Sequence, residues 1–369
     1  MFRPLGHIVE LDGLRALAIG LVIIAHFLFL PPTQPEGRSF LPRPLAAVLE
    51  HGWLGVDLFF VLSGFLITSI LLRTKGLGRG TYFRTFYERR ALRILPLYFV
   101  VLFVLAIADR GRDLPYFALC AGMAANWAGP ANVSVPDMAG PFWSLAVEEQ
   151  FYLFWPWLVL WLDERRLAIV AVALLVAEPI LRACFAGNDQ LTYLRADGLA
   201  MGSLVALWYA TWNGERRGPR DLIGALLGTL ALVIVAGAPF GGLQKGLVGD
   251  AMRISEGVLL FGAMLVAAIS YQGSPALRPL RAQPLVYVAL VSYCVYLVHR
   301  PVLLATDAIL THEAWFAALS PVPETLTRSI VALALAFAIA ACSRRWLELP
   351  FLRIGRRPQR VRASRDPSE

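Results

Sequence analysis

Charge is scarce in this 369-residue chain: Asp, Glu, Lys and Arg together make up 16% of it, against about a quarter in soluble domains. Hydrophobic residues make up 57%, above the roughly 45–50% of globular proteins, which excludes an ordinary soluble enzyme. Cysteine is sparse as well. Cys120, Cys184, Cys294 and Cys342 sit singly in apolar segments, without the paired spacing of a zinc site or redox couple. They read as small buried hydrophobes, and no metal is expected. There is no Gly-rich phosphate loop and no convincing internal repeat, and no polar stretch long enough for a soluble domain. Chemistry must therefore be carried by membrane spans and the loops between them.

What is present in quantity is apolar sequence. Stretches near twenty residues, the length needed to cross a hydrocarbon core of roughly 30 Å, fall at about 13–30, 53–72, 94–108, 143–162, 167–185, 196–212, 221–239, 253–271, 284–304 and 327–347. An all-α integral-membrane fold of about ten transmembrane helices is expected. A further apolar segment at 114–128, flanked by Pro115 and Pro130, reads as a re-entrant or surface helix, which is tolerated where protein or water satisfies its backbone. The first span is kept as an anchor, because no small-residue cleavage site closes it.

The basic residues orient this layout. Of 34 lysines and arginines, 24 fall in 1–15, 73–93, 163–166, 214–220, 272–283 and 344–369, all on one side if both termini are cytoplasmic, as the excess of Lys and Arg in cytoplasmic loops requires. Reading 114–128 as a full span would break that alternation. The organisation expected is one transmembrane domain over 1–350 and a basic cytoplasmic tail over 351–369. The net charge of +8 lies in short loops and that tail, so attraction to anionic membrane lipids, not nucleic acid, accounts for it.

Within the spans a few ionisable residues stand out, and such residues mark function by default. Arg15 and His26 border the apolar part of the first span with ten residues between them, about 16 Å along a helix axis, about the reach of a pantetheine arm. Arg89, Arg90 and Arg93 lie in a basic segment leading into the third span, Arg89 and Arg93 on one helical face; arginine forks match phosphate oxygens. Toward the opposite surface lie His26, Asp57, Glu148, Glu149, Arg195, Asp197 and His299. Carboxylates and imidazoles at one depth suit general acid–base catalysis, and they equally suit interhelical ion pairs that hold a bundle. Glu148 and Glu149 point about 100° apart on a helix, so only one can face His26. Trp143, Tyr152 and Trp155 on the same span supply aromatic faces fit for a sugar or for an interfacial belt.

Seven strings, in order, carry a resemblance: LDGLRALAIGLVIIAH, GVDLFFVLSGFLIT, FYERRALRILPLYF, FWSLAVEEQFYLFWP, YLRADGLAMGSLVA, SYCVYLVHRP and RRWLELPF. Together they resemble the acyltransferase 3 family, integral-membrane acyltransferases that include O-antigen and other surface-glycan O-acetylases. The resemblance implies transfer of an acyl group, most often acetyl, from cytoplasmic acyl-coenzyme A to a hydroxyl of a glycan or lipid-linked acceptor across the bacterial inner membrane. It aligns Arg15 and His26 with the family's essential pair, Arg89, Arg90 and Arg93 with its arginine motif, and Glu148 and Glu149 with its acidic motif. Arg89, Arg90, Arg93 and Arg15 are then expected to bind coenzyme A, and His26 to act as general base with its tautomer set by Glu149 or Glu148. Trp143, Tyr152, Arg195, Asp197 and His299 are expected at the acceptor, and Tyr152, Ser144 or Arg195 are candidate oxyanion donors. A covalent acyl-histidine is the alternative route. Many relatives carry a fused extracytoplasmic hydrolase-like domain; none is expected here, so transfer finishes in the membrane domain or a separate periplasmic partner takes over. Two further classes compete. A transporter would show inverted repeats and broken helices, for which Gly237, Pro239, Gly241 and Gly242 are the nearest signal; a scaffold would leave His26 and the arginines without work.

Overall fold

The computed structural model describes residues 6–29, 42, 46, 49–185, 190–212, 217–237 and 247–355. The basic tail from 356 onward, most of the 31–52 loop, and Pro239, Gly241 and Gly242 lie outside the described residues. Among the described residues ten long helices succeed one another: α1 Val9–Ile24, α2 Gly55–Thr74, α3 Arg79–Ala108, α4 being the short Leu114–Ala121, then α5 Phe142–Trp161, α6 Glu164–Cys184, α7 Asp197–Thr211, α8 Arg217–Gly237, α9 Leu247–Ser270, α10 Gln283–Leu310 and α11 Pro321–Ser343, with α12 Leu349–Gly355 at the end. No strand occurs among the described residues. The fold is all-α and integral to the membrane.

Among the described residues, seven helical stretches are long and apolar enough to cross a bilayer: Val9–Phe29, His51–Thr74, Arg79–Ala108, Glu164–Cys184, Met252–Ser270, Gln283–Leu310 and Pro321–Ile354. The expected spans near 143–162, 196–212 and 221–239 are helical too, as α5, α7 and α8, but stand outside that set. In α5 the run Glu148, Glu149, Gln150 interrupts the apolar sequence, and α7 has only 15 residues, about 22 Å. The 114–128 segment is the eight-residue α4 followed by a 3-10 turn, Ala125–Trp127, too short to cross. It is pinned by polar contacts: Tyr98 donates to the Cys120 carbonyl at 2.8 Å and Tyr116 to that of Ala139 at 3.0 Å.

Outward-facing stripes follow helical spacing. On α3, Phe99, Phe103 and Ile107 are exposed, and on α6 Ile169, Val172, Val176 and Ile180; apolar faces so placed meet lipid tails. Inside, α2 and α7 approach most closely through glycines. A Cβ at Gly64 would overlap the Leu199 carbonyl, and one at Gly202 the Val61 carbonyl, so small residues let the backbones meet, as in other membrane bundles. Helix α1 lies against α2 and α10, placing Arg15 and His26 between the elements that carry the other polar residues.

Candidate active site

A partly open cavity of about 110 Å³ lies between α1, α2, α3, α5 and α10. Its lining on α2 extends from Val56 to Leu66, about 15 Å of helix. One end holds Arg15, Arg90, Arg93 and Tyr152; toward the other stand Ser144 and Tyr296. The basic end has an outer vestibule, where Thr74, Thr85 and Arg89 join the same Arg90 and Arg93. Arg89 and Arg93 are exposed and Arg90 half-buried.

The arginines are held in different ways. Arg15 lies 3.4 Å from Asp12, one turn earlier on α1. The Arg90 guanidinium lies 5.4 Å from the centroid of the Tyr152 ring, a cation–π arrangement. Among the described residues, no carboxylate comes within ion-pair distance of Arg90 or Arg93. Cationic forks that face a cavity and are not engaged in an ion pair suit an anionic ligand such as phosphate.

Glu148 is the member of the acidic pair that lines the cavity, and it accepts a hydrogen bond from Ser63 Oγ at 2.6 Å. Ser63 is six residues deeper along α2 than Asp57, about 9 Å. Glu148 therefore shares the arginines' cavity instead of the surface level expected for it. Glu149 turns away from the lining, and its Oε1 is buried without a hydrogen-bond partner.

His26 sits where α1 changes character. Residues Ala25–Phe29 form a π-helical turn, a distortion that often accompanies functional sites. Its Nδ1 lies 2.8 Å from the Val22 carbonyl; a carbonyl only accepts, so Nδ1 carries the proton and Nε2 bears the lone pair. The expectation that Glu148 or Glu149 sets this tautomer is corrected: a backbone group of the same helix does so, one turn back. His26 stands beyond the cavity lining and connects to it through two residues of α10. Its ring centroid is 5.0 Å from that of His299, and the His299 ring is 5.7 Å from that of Tyr296. The Tyr296 hydroxyl is 2.5 Å from Ser144 Oγ and 3.1 Å from the Pro141 carbonyl.

The remaining expected acceptor residues form ion pairs. Arg195 contacts Asp57 at 2.9 Å, both buried, and its guanidinium lies 5.1 Å from the Trp143 ring and 5.9 Å from that of Phe60. Asp197 is 2.7 Å from Arg182, which also donates to the Leu194 carbonyl and to Ser255. Glu178 accepts from the backbone N–H groups of Ala196 and Asp197 at 3.1 and 2.6 Å, capping the start of α7 where a carboxylate is favoured. Trp143 thus serves Arg195, and Asp197 serves α6 and α9, outside the cavity lining. Trp155 is a core residue that donates to Thr68 at 2.8 Å. Sequence reasoning missed Ser63, Tyr293 and Tyr296 in the lining, and Glu178 and Arg182 beside it. The signal for the last two was present: a Glu and an Arg four apart in an otherwise apolar span.

The acyltransferase domain family matches residues 8–342. The chain belongs to that family. It is 28% identical over 385 aligned residues to the peptidoglycan O-acetyltransferase OatA of Listeria monocytogenes, covering 95% of this chain and 56% of that protein. It is 29% identical to the putative peptidoglycan O-acetyltransferase YrhL of Bacillus subtilis, covering 82% and 50%, and 26% identical to the O-acetyltransferase OatA of Staphylococcus aureus, covering 84% and 52%. The chain spans about half the length of these curated relatives. No solved structure matches it. The match begins at Ile8 and takes in Arg15, His26 and the residues that line the cavity.

Proposed function

We propose that the chain is a membrane O-acetyltransferase that takes acetyl groups from acetyl-coenzyme A at its basic end and delivers them to hydroxyls on the opposite side of the bacterial cytoplasmic membrane. The observation that carries this is the convergence of Arg15, Arg90 and Arg93 on one end of a cavity about 15 Å deep. Coenzyme A offers phosphates to those forks, with Arg89 in the vestibule, and a pantetheine arm of matching length to the cavity. Its thioester then lies toward Ser144 and Tyr296, one of whose hydroxyls can turn from the Pro141 carbonyl to donate to a tetrahedral oxyanion. His26, protonated at Nδ1, presents Nε2 as general base to the acceptor hydroxyl. The C–O bond of the ester forms as the C–S bond breaks, and the sulfur leaves with the electron pair as coenzyme A thiolate. The named activities of the two peptidoglycan O-acetyltransferase relatives favour a peptidoglycan-type glycan as acceptor.

The test is thiol release from acetyl-coenzyme A by the purified chain in detergent. Slow release that disappears in His26→Ala, while the variant elutes and melts like wild type, supports the reading. Full activity in His26→Ala, or no release with acetyl-, propionyl- or succinyl-coenzyme A, overturns it.

A further inference from the structure

His299 is fully buried, its Nδ1 lies 2.6 Å from the Tyr296 carbonyl, and its Nε2 has no hydrogen-bond partner. By the same argument as for His26, Nδ1 carries the proton and Nε2 bears a lone pair. Two imidazoles in edge contact, 5.0 Å between centroids, are thus both committed as donors to backbone carbonyls and both left with an unprotonated Nε2. Buried polar atoms without partners are rare and cost about 1–3 kcal/mol.

The charged groups around the pair are engaged elsewhere. Arg300, beside His299 on α10, lies 4.0 Å from Asp137, and on the neighbouring α11 Arg328 lies 2.9 Å from Asp307 and 3.7 Å from Glu324. Among the described residues no carboxylate comes within ion-pair distance of either imidazole. Among the described residues, the ring in edge contact with that of His26 is His299.

We infer that His299 is the positioning residue for His26, its Nε2 waiting to accept a hydrogen bond from the proton that His26 removes from the acceptor. This rests on the proposed role of His26 as base. In the resting state neither Nε2 has a hydrogen to share. As the acceptor O–H bond breaks, the proton passes to His26 Nε2 and the acceptor oxygen becomes the ester oxygen. The new Nε2–H then donates to His299 Nε2, holding the imidazolium until the proton goes on to the departing thiolate and both rings return to neutral.

Two amides separate this role from a structural one. An asparagine amide at 299 keeps a donor for the Tyr296 carbonyl, where Nδ1 stood, and lacks an acceptor at the Nε2 position; a glutamine amide reaches that position and gives up the Nδ1 bond. His299→Asn is expected to lower kcat about a hundredfold with KM for acetyl-coenzyme A unchanged, and His299→Gln to stay within about tenfold of wild type. A merely structural histidine gives the opposite order, and that order, an equal loss in both, or no loss in either overturns the inference. His26→Ala is assayed alongside. If it retains activity, the base role and this inference fall together; if it is inactive while the Asn and Gln variants show one of the overturning patterns, only the role of His299 falls.

Discussion

Arg90 and Arg93 each face both the vestibule and the cavity, while Arg89 faces only the vestibule. If these forks hold phosphates, removing one deletes charged hydrogen bonds worth about 1.5–3 kcal/mol. Arg90→Ala and Arg93→Ala are therefore expected to raise KM for acetyl-coenzyme A by roughly ten- to a hundredfold, leaving kcat near wild type. Lysine restores the charge and not the planar fork, so Arg90→Lys is expected to recover only part of the affinity. Steady-state titration of acetyl-coenzyme A checks both, and unchanged KM in the alanine variants would return the segment to plain topology. The buried Arg182 makes a contrasting case. Replacing it with Leu leaves Asp197 and Glu178 without their cation, a loss of about 3–5 kcal/mol for a broken buried pair, read as a lowered melting temperature in detergent, with Asp197→Asn as a milder companion. At this scale the sequence exposed Arg15 and His26 because each is an ionisable group against apolar neighbours. It hid Ser63 and the Val22 carbonyl, since a serine and a backbone oxygen look alike at every position until the helices are packed.

Helix placement was easier to read than helix contacts. Each apolar stretch found in the sequence coincides with a helix, because about twenty apolar residues leave the backbone little choice inside lipid. The boundaries moved where polar residues prolong a helix beyond the apolar core: α3 starts at Arg79 instead of near residue 94 and runs through Pro96. Neither the π turn at Ala25–Phe29 nor the pairing of α2 with α7 could be read from hydropathy. The glycines at that crossing matter for shape, since a side chain at Gly202 must displace the Val61 carbonyl and the Phe65 backbone N. Gly202→Val is expected to cost about 1–3 kcal/mol by overpacking, and to move α7 off the helix that carries Ser63, Phe60 and Asp57. The measurement is thermal unfolding in detergent beside thiol release; a variant as stable and active as wild type would show that the crossing can relax.

Across the whole molecule, the two ends of the proposed site are separated along α1. Arg15 and His26 stand eleven residues apart on one helix, about 16 Å and so roughly half of a 30 Å core, and the cavity follows the same direction. A soluble transferase brings donor and acceptor through one mouth. Here the arginines face a vestibule at the basic end, whereas His26 and His299 lie past Tyr296, away from it. If the excess of Lys and Arg in alternate loops places the basic end in the cytoplasm, donor and acceptor are expected to arrive from opposite sides. Reconstituted vesicles make this measurable, once orientation has been scored by protease access to a tag at Glu369. Acetyl-coenzyme A added outside should be consumed by molecules whose tag faces outward and spared by those whose tag faces inward. Blocking the outward-facing population with an impermeant coenzyme A analogue should then stop turnover altogether. Equal consumption by both orientations would mean that donor enters from either end, and the separation of Arg15 from His26 would then serve the packing of α1 instead of transfer across the membrane.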